Sequence, residues 1–236
     1  MSDFELYYWP VPFRGQFIRA ILAYAGRSWT EHDSAEIGAL MQAGPDDAPV
    51  GFMGPPVLVD NRSGFALSQM PAIALYLGDR FALLPDGAEG RAMSAKIVND
   101  ANDVIDELTL DGGREMWTGD KWAAFLPRLA RWMGIWAAAG ERHGLGETEG
   151  FLLGTQAAGV ADIVTGTLWT TMGDRFPGIA ALLDETAPRI AALSRRMQAV
   201  PALARLRDEA FALYGEAYCG GEIEKSLRSV AGRATI

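Results

Sequence analysis

The hydrophobic and polar positions of this chain follow two different periodicities. Up to about residue 81, short apolar runs of strand length alternate with stretches whose apolar residues recur every three to four positions. Pro85, Asp86 and Gly87 then interrupt the pattern. After this break the strand-like runs disappear, and apolar residues keep helical spacing almost to the end. The pattern predicts a mixed α/β unit followed by an all-helical unit.

The first unit begins with an apolar, aromatic run at residues 4–9, which is typical of a buried strand and which Pro10 and Pro12 end. Helical spacing from Gly15 to Tyr24 predicts the first helix. The elements predicted after it are a strand at 28–33, a loop with at most one helical turn at 34–54, a strand at 56–60, a hairpin turn at 61–64, a returning strand at 65–67 and a helix capped by Ser68 that ends near Gly78. The order is β-α-β, then a hairpin, then a helix.

The second unit is predicted to contain helices only, at about 90–111, 119–143, 159–173, 178–184, 187–198 and 201–215. We therefore expect a first domain at 1–81, a linker at 82–89 and a helical domain at 90–219. The polar, glycine-containing segment 220–236 is expected to be a loosely held tail.

The composition and net charge of the chain exclude several classes of partner and location. The 236 residues are 49% hydrophobic and 22% charged, which is enough apolar material for a sizeable core. The net charge of −9 argues against nucleic acid or an anionic membrane as a partner. The sequence has no apolar stretch of about 18 residues and begins with no basic region before an apolar segment. We therefore expect no membrane span, no secretory signal and a cytoplasmic location.

The residues that most often bind metals or act as nucleophiles are scarce. Cys219 is the only cysteine, so no disulfide can form within the chain. His32 and His143 are the only histidines, and both lie far from Cys219 in sequence. We expect neither a metal site nor a Cys-His catalytic pair.

Four short motifs occur in order along the chain. They are Leu6–Pro10 with Arg14–Gln16 and Arg19, Gly54–Asp60, Leu67–Ile73 with Tyr76–Leu77, and Phe151–Gly154 with Val160–Asp162. In this order and at these spacings the motifs resemble the tyrosine-type cytosolic glutathione S-transferases (alpha-, mu-, pi- and sigma-like), and the chain is identified as a divergent, bacterial-type member. The resemblance implies a thioredoxin-like βαβ-ββα domain that binds glutathione, an all-helical C-terminal domain and a homodimer.

The chemistry that the resemblance implies is activation of the glutathione thiol. A free thiol has a pKa near 8.5, and lowering it by about two units requires about 2.7 kcal/mol of preferential thiolate stabilisation. A hydroxyl hydrogen bond near a helix N-terminus has roughly this strength. The resemblance gives this catalytic role to Tyr8. Without it, Tyr8 and its neighbour Tyr7 would also fit the description of ordinary aromatics in a buried strand.

The resemblance also implies glutathione-binding residues in the first domain. Arg14 matches a motif arginine, whereas Gln16 replaces a cation with an uncharged donor. Pro56 matches the cis-proline of the family, and the residue before it bonds the tripeptide backbone. Because that residue is Pro55, its carbonyl can accept a hydrogen bond but it has no N–H to donate, at a cost of about 0.5–1.5 kcal/mol.

Two further contacts are expected from helices. Gln69 matches the family residue that holds the γ-glutamyl carboxylate at a helix N-terminus, and Met70 stands where a serine is usual, leaving its backbone N–H. Asp103 could reach the γ-glutamyl amine across a dimer, or could simply lie on a solvated helix face. Residues 34–54 contain no Lys, Arg or Trp to bind the glycyl carboxylate.

These observations leave two main hypotheses. The first is a detoxifying glutathione transferase that conjugates the thiolate to an apolar electrophile, with peroxidase or isomerase activity as a possible side reaction. The second is a catalytically silent protein of the same fold that serves as a binding module or scaffold. Tyr8 and Gln69 favour the enzyme, while Gln16, Pro55 and Met70 favour the scaffold. Glutathione binding separates the two.

Overall fold

The computed structural model describes residues 2–231. It begins with a four-stranded sheet of β1 (Phe4–Tyr7), β2 (Trp29–Glu31), β3 (Val57–Asp60) and β4 (Ala66–Ser68). The strand order is β2-β1-β3-β4, with β1 parallel to β2 and antiparallel to β3, and β3 antiparallel to β4. Together with α1 (Phe13–Tyr24) and α3 (Met70–Arg80), this sheet forms the predicted thioredoxin-like unit.

The segment predicted as a loop at 34–54 contains a full helix, α2 (Ser34–Gln42), so that prediction was wrong. Asp33 caps the helix by accepting hydrogen bonds from the N–H groups of Ala35 and Glu36. The Glu36 carboxylate in turn accepts from the N–H of Asp33, which completes a capping box. The sequence signal that could have predicted α2 is Asp33 followed three positions later by Glu36.

Ser68 does not cap the helix that follows it, contrary to the prediction. It is the last residue of β4, and Gln69 occupies the cap position without a side-chain cap bond. Pro71, the second residue of α3, can start the helix because its missing N–H would have no intrahelical acceptor. The helix therefore begins without a side-chain cap, and Pro71 favours its first turn.

The second unit is helical throughout its described part and has α7 at its centre. Val164 and Leu168 of α7 are almost fully buried, and the hydrophobic cluster around them continues into the first unit through Ile18 and Leu77. The helices are α4 (Ala88–Leu108), the short irregular α5 (Leu110–Gly113), α6 (Gly119–Arg142), α7 (Val160–Arg175), α8 (Pro177–Thr186), α9 (Pro188–Gln198), α10 (Pro201–Tyr214) and α11 (Gly221–Ala231).

Helix α11 corrects the expectation of a loosely held tail at 220–236, whose last five residues lie outside the described part. Ile223, Leu227 and Ala231 recur every four positions and are buried. The Glu224 carboxylate accepts hydrogen bonds from the N–H groups of Tyr218 and Gly220, among others. The high polar content of this segment concealed an amphipathic helix with an anchored start.

Within residues 2–231, none of the helices combines the length and the apolar character that crossing a membrane would require.

Candidate functional site

The candidate site is centred on Tyr8, the first residue after β1. The side chain is buried, with 3% of its surface exposed. Its hydroxyl oxygen accepts a hydrogen bond from the backbone N–H of Arg14 at 3.0 Å. Pro10 and Pro12 lie in the turn that brings the N-terminus of α1 back onto the end of β1. Among the described residues, no acceptor takes the hydroxyl proton of Tyr8.

Two residues of α1 fix the Tyr8 ring. A Cβ on Gly15 would lie 2.3 Å from the Cδ1 atom of Tyr8, so the ring packs directly on the glycine backbone. The guanidinium of Arg19 lies 5.7 Å from the ring centroid and donates to the carbonyl of Val11 at 3.0 Å. Glu31 holds Arg19 through two hydrogen bonds of 2.7 and 3.0 Å. Arg19 therefore orders the turn and the ring together.

Burial sets the protonation state of Tyr8. It raises the pKa of the phenol to about 12, against the opposing effects of the Arg14 charge and N–H and of the Arg19 charge. A phenol with this pKa stays protonated at neutral pH and can donate its hydrogen bond. Such a donor can stabilise a thiolate without itself losing the proton.

Tyr7 occupies a different environment. Its ring stacks on His32, with centroids 3.8 Å apart and an angle of 5° between the planes. His32 is in turn bonded to Glu5 at 3.0 Å. Because adjacent residues of a strand point to opposite faces, the two tyrosines cannot exchange roles.

The predicted tripeptide-binding residues lie where β3 and α3 begin. The Pro55–Pro56 peptide bond is cis, as predicted for Pro56. Gln69 has a φ of 73°, a left-handed value that is costly for a residue other than glycine. Met70, the first residue of α3, has its side chain buried, with 1% of its surface exposed. The first N–H groups of α3 have no intrahelical acceptors and favour an anion.

Arg14 links the turn between β1 and α1 (residues 8–12, here called the Tyr8 turn) to the helical domain. Its Nη2 atom lies 3.0 Å from a carboxylate oxygen of Asp106 in α4. The side chains of Arg14 and Asp106 are 24% and 55% exposed, so the pair contributes less than about 1 kcal/mol to stability. Asp106 was not predicted, because nothing in the sequence connects two charges 92 positions apart.

Gln16 is buried between the two domains. It lines a small cavity with Thr167 and Arg175 of α7 and Gln198 of α9. Its Oε1 atom has no hydrogen-bond partner among the described residues. Tyr8 is not among the residues that line this cavity.

Asp103 lies on α4, in a cavity of about 480 Å³ between α4 and α6 that Trp132 and Ile135 also line. Burial and the neighbouring Asp100 and Asp106 raise the pKa of the Asp103 carboxyl. Asp100 and Asp106 are paired with Lys96 and Arg14, whereas no cation within the described range forms an ion pair with Asp103. This carboxylate is available to a cationic group from outside the chain.

The segment between α10 and α11 covers the Tyr8 turn, which was not predicted. The ring of Tyr218 meets that of Phe13 edge to face, with centroids 5.4 Å apart. Gly220 packs near the side chain of Val11. Burial, followed by the nearby Glu224 carboxylate, raises the pKa of the Cys219 thiol to about 12, so this cysteine stays protonated at neutral pH.

As for metals, within the described residues no group of three or more His, Cys, Asp or Glu side chains is placed to hold an ion.

The comparison with known proteins agrees with this architecture. Residues 93–230 match the family model described as the C-terminal domain of glutathione S-transferase. No curated protein is a significant match to the sequence.

Several solved structures share the fold. One is a Pi-class glutathione S-transferase of Onchocerca volvulus, which is 13% identical and has a TM-score of 0.73 over 93% of this chain and 98% of that one. Another is a glutathione S-transferase of the hookworm Necator americanus, described as monomeric, which is 20% identical and has a TM-score of 0.70 over 88% and 97% of the two chains. A glutathione transferase family member from Pseudomonas fluorescens pf-5, solved with two glutathione bound, is 19% identical and has a TM-score of 0.65 over 87% and 92%.

The architecture is therefore a thioredoxin-like domain joined to a helical domain, with a tyrosine directly after the first strand. The family match spans more than half of the chain, so the chain belongs to the glutathione S-transferase family.

Proposed function

We propose that this protein is a glutathione transferase in which the Tyr8 hydroxyl stabilises the glutathione thiolate for attack on an apolar electrophile. The observation that carries the proposal is the Tyr8 hydroxyl itself. It accepts from the Arg14 N–H, remains protonated at neutral pH and has no acceptor for its own proton within residues 2–231. A solved family member of the same fold holds glutathione.

The described residues fit the tripeptide in part. The Pro55 carbonyl is the hydrogen-bond acceptor for the backbone of the tripeptide. The first turn of α3, with Gln69 and the Met70 N–H, suits the γ-glutamyl carboxylate. Gln69 adopts its left-handed conformation at this point, as residues at functional sites often do. Arg14 lies beside Tyr8 and contributes positive charge. The bound thiol would donate its proton to solvent, and the Tyr8 hydroxyl would then donate to the sulfur.

A two-fold dimer would complete the site. Asp103 lines the cavity between α4 and α6 and forms no ion pair within the described chain, and a γ-glutamyl ammonium group from the other subunit matches its charge. Ile135 of α6, in the same cavity, is 43% exposed. An apolar side chain of this size near an open carboxylate suits an interface between two copies.

The second candidate is a silent binding protein, and burial of Tyr8 is the observation that favours it. Tyr8 is 3% exposed and has Cys219, from the segment before α11, among its neighbours, so a thiol reaches its hydroxyl only if the surrounding structure moves. The missing N–H of Pro55 and the missing serine hydroxyl at Met70 weaken tripeptide binding, which also favours the silent protein.

Calorimetric titration with reduced glutathione, combined with conjugation to a chloronitrobenzene, separates the two candidates. We expect the wild-type chain and Tyr8→Phe to bind glutathione with similar Kd, while kcat of Tyr8→Phe falls by about 10- to 100-fold, because one charge-assisted hydrogen bond of about 1.5–3 kcal/mol is lost. Tyr7→Phe is the matched control and should keep its activity. Absence of binding at millimolar glutathione would rule out the enzyme and favour the scaffold.

A further inference from the structure

Three arginines of the first unit line one small cavity at the end of the sheet away from Tyr8. Arg27 lies in the turn after α1, Arg62 lies in the hairpin between β3 and β4, and Arg80 is the last residue of α3. The cavity has a volume of about 90 Å³ and is here called the arginine cavity. Phe4, the first residue of β1, also lines it, whereas Tyr8 follows the last residue of that strand. About 13 Å of strand therefore separates the two places.

None of these three guanidinium groups donates a hydrogen bond within residues 2–231. Arg80 comes nearest to one, with its Nε atom 3.6 Å from the Oδ2 atom of Asp60. Arg27 and Arg62 form no ion pair with that part of the chain, so the N–H groups of their guanidiniums are open to an acceptor. Other arginines, such as Arg205 of α10, are also unpaired there, but Arg205 does not line this cavity. The convergence of three unpaired side chains is what distinguishes the place.

The Arg27 side chain is oriented by the aromatic wall of the cavity. Its Cζ atom lies 5.2 Å from the centroid of the Phe81 ring, and Phe81 lines the cavity. Packing on a ring uses the face of a guanidinium and leaves the N–H groups at its edge free to donate. Arg27 is exposed, so an anion in solution can reach these N–H groups without any movement of the fold.

The two carboxylates that line the cavity are already engaged by other donors. Asp60 accepts from the backbone N–H of Arg62 at 2.9 Å and from the Tyr76 hydroxyl at 2.8 Å. Asp3 accepts from the N–H and the hydroxyl of Ser28, both at 2.9 Å. Burial opposes the ionisation of Asp60, but the hydrogen bonds outweigh it, and the pKa of both carboxyl groups is lowered. The groups of the cavity that still lack a partner are therefore donors.

The charge and the size of the arginine cavity suit a small anion. Three guanidinium groups and two carboxylates leave it with one surplus positive charge, although the whole chain carries a net charge of −9. Its volume of about 90 Å³ equals the share of about three water molecules in the liquid, which leaves room for one tetrahedral oxoanion but not for a nucleoside. Guanidinium groups recognise such oxoanions through paired N–H···O hydrogen bonds in a fixed geometry.

We propose that the arginine cavity binds a small dianionic oxoanion of the phosphate type, either free or as the phosphoryl group of a monoester. Arg27 and Arg62 donate to its oxygens from two turns, and Arg80 supplies a third positive charge from the end of α3. The anion connects three segments of the first unit and stabilises that unit by mass action. The site uses no residue of the Tyr8 turn, so it is independent of glutathione chemistry.

Inorganic phosphate, at a mildly alkaline pH where it is a dianion, is the probe that tests this site. In the ¹⁵N-labelled full chain at constant ionic strength, we expect phosphate to shift the amide signals of Arg27, Ser28 and Arg62 saturably. Acetate and chloride, which are monoanions, should bind about tenfold more weakly or less. Phenyl phosphate distinguishes the sources, because tighter binding than that of phosphate indicates a monoester and equal binding indicates the free anion. Phosphate shifts at these amides no larger than those with chloride would overturn the proposal.

Two variants and a matched control test the location by calorimetric titration with phosphate. Arg27→Gln and Arg62→Gln each remove one positive charge from the cavity and should weaken phosphate binding by about tenfold or more. Both arginines are exposed and form no ion pair within residues 2–231, so both variants should fold. Arg205→Gln removes the same charge from an exposed position of α10 and should leave the affinity unchanged. Equal phosphate affinity in the three variants would mean general attraction to positive charge and would also contradict the proposal.

Discussion

At the scale of the residue, the position of the Tyr8 ring depends on the absence of a side chain at Gly15. The ring, the Arg14 N–H and the Arg19 guanidinium form one packed group around that glycine. Small changes within this group should alter the direction of the hydroxyl before they alter the fold.

Gly15→Ala should lower conjugation activity and destabilise the protein by about 1–3 kcal/mol, because its Cβ would lie 2.3 Å from Tyr8 Cδ1. Gly134→Ala in α6 is the matched control, since its Cβ would meet no atom within 4 Å, and it should stabilise the protein by about 0.5–1 kcal/mol. Urea unfolding and a conjugation assay measure both effects. Similar behaviour of the two variants would show that Tyr8 is not tightly packed on Gly15.

Single residues were predictable from the sequence where a motif fixed them locally. The cis bond predicted at Pro56 is confirmed. Asp106 and Tyr218 were missed because each contacts the Tyr8 turn only after the chain folds back over a long distance. Such contacts depend on tertiary packing and leave no local pattern.

At the scale of the element, two aspartates stabilise helix N-termini from different positions and with different burial. Gly159 occupies the cap position of α7, and the carboxylate of Asp162, the third residue of the helix, accepts from the buried N–H groups of Leu152 and Gly159 at 2.7 and 2.9 Å. Asp33 begins α2 in an exposed position with comparable bonds.

Asp162→Ala should cost about 3 kcal/mol, because two buried donors lose their acceptor, whereas Asp33→Ala should cost about 1 kcal/mol. The free energy of unfolding in urea, measured for both variants, checks this difference. Equal losses would mean that burial does not strengthen the Asp162 cap.

Glu224 is the anchor of α11. Burial opposes its ionisation, but the N–H groups of Gly220 and Tyr218 and the Arg228 guanidinium outweigh burial and lower the pKa of the carboxyl. A lowered folded-state pKa means that this contribution to stability is complete above the ordinary value of 4.5 and is lost as pH falls through the folded-state value.

Hydrogen exchange should therefore show slow amides at Cys219, Gly220 and α11 near pH 7 and faster opening of this segment below about pH 4. Glu224→Gln should produce the faster opening already at neutral pH. Glu222→Gln is the control, because Glu222 is exposed and pairs only with Lys225. Identical exchange in both variants would exclude Glu224 as the anchor.

The long helices and the strands were predicted closely, whereas the shorter helices α2 and α11 were not. Helices α4 and α6 bury one apolar face, and α7 is apolar and buried on nearly all sides. Helices α2 and α11 were missed because polar residues and glycines obscured the spacing, and because their stability comes from caps and tertiary burial.

At the scale of the whole molecule, the two domains share one hydrophobic cluster, in which α1 and α3 pack on α7 and α4. The order of α/β and helical units was readable from the sequence, since the periodicity changes once. The covering of the Tyr8 turn by the segment before α11 was not readable, because it requires the end of the chain to return to its beginning.

The proposed dimer predicts a mass twice the 25.5 kDa of the chain in light scattering. Ile135→Asp should shift the mass toward the monomer, since it places a carboxylate beside Asp103 in the cavity between α4 and α6. Lys225→Asp, on the exposed face of α11, is the control and should leave the mass unchanged. A monomeric wild type would contradict the dimer and the role of Asp103 across it.

The most direct test of the central claim is the pKa of the glutathione thiol when bound, measured from the near-ultraviolet absorbance of its thiolate as a function of pH. If the Tyr8 hydroxyl donates to the sulfur, the bound thiol should ionise about one to two units below its ordinary value near 8.5. Tyr8→Phe should restore ionisation near the ordinary value, and Tyr7→Phe should not. A bound thiol that ionises near 8.5 in the wild type, or equally in the wild type and Tyr8→Phe, would contradict the account.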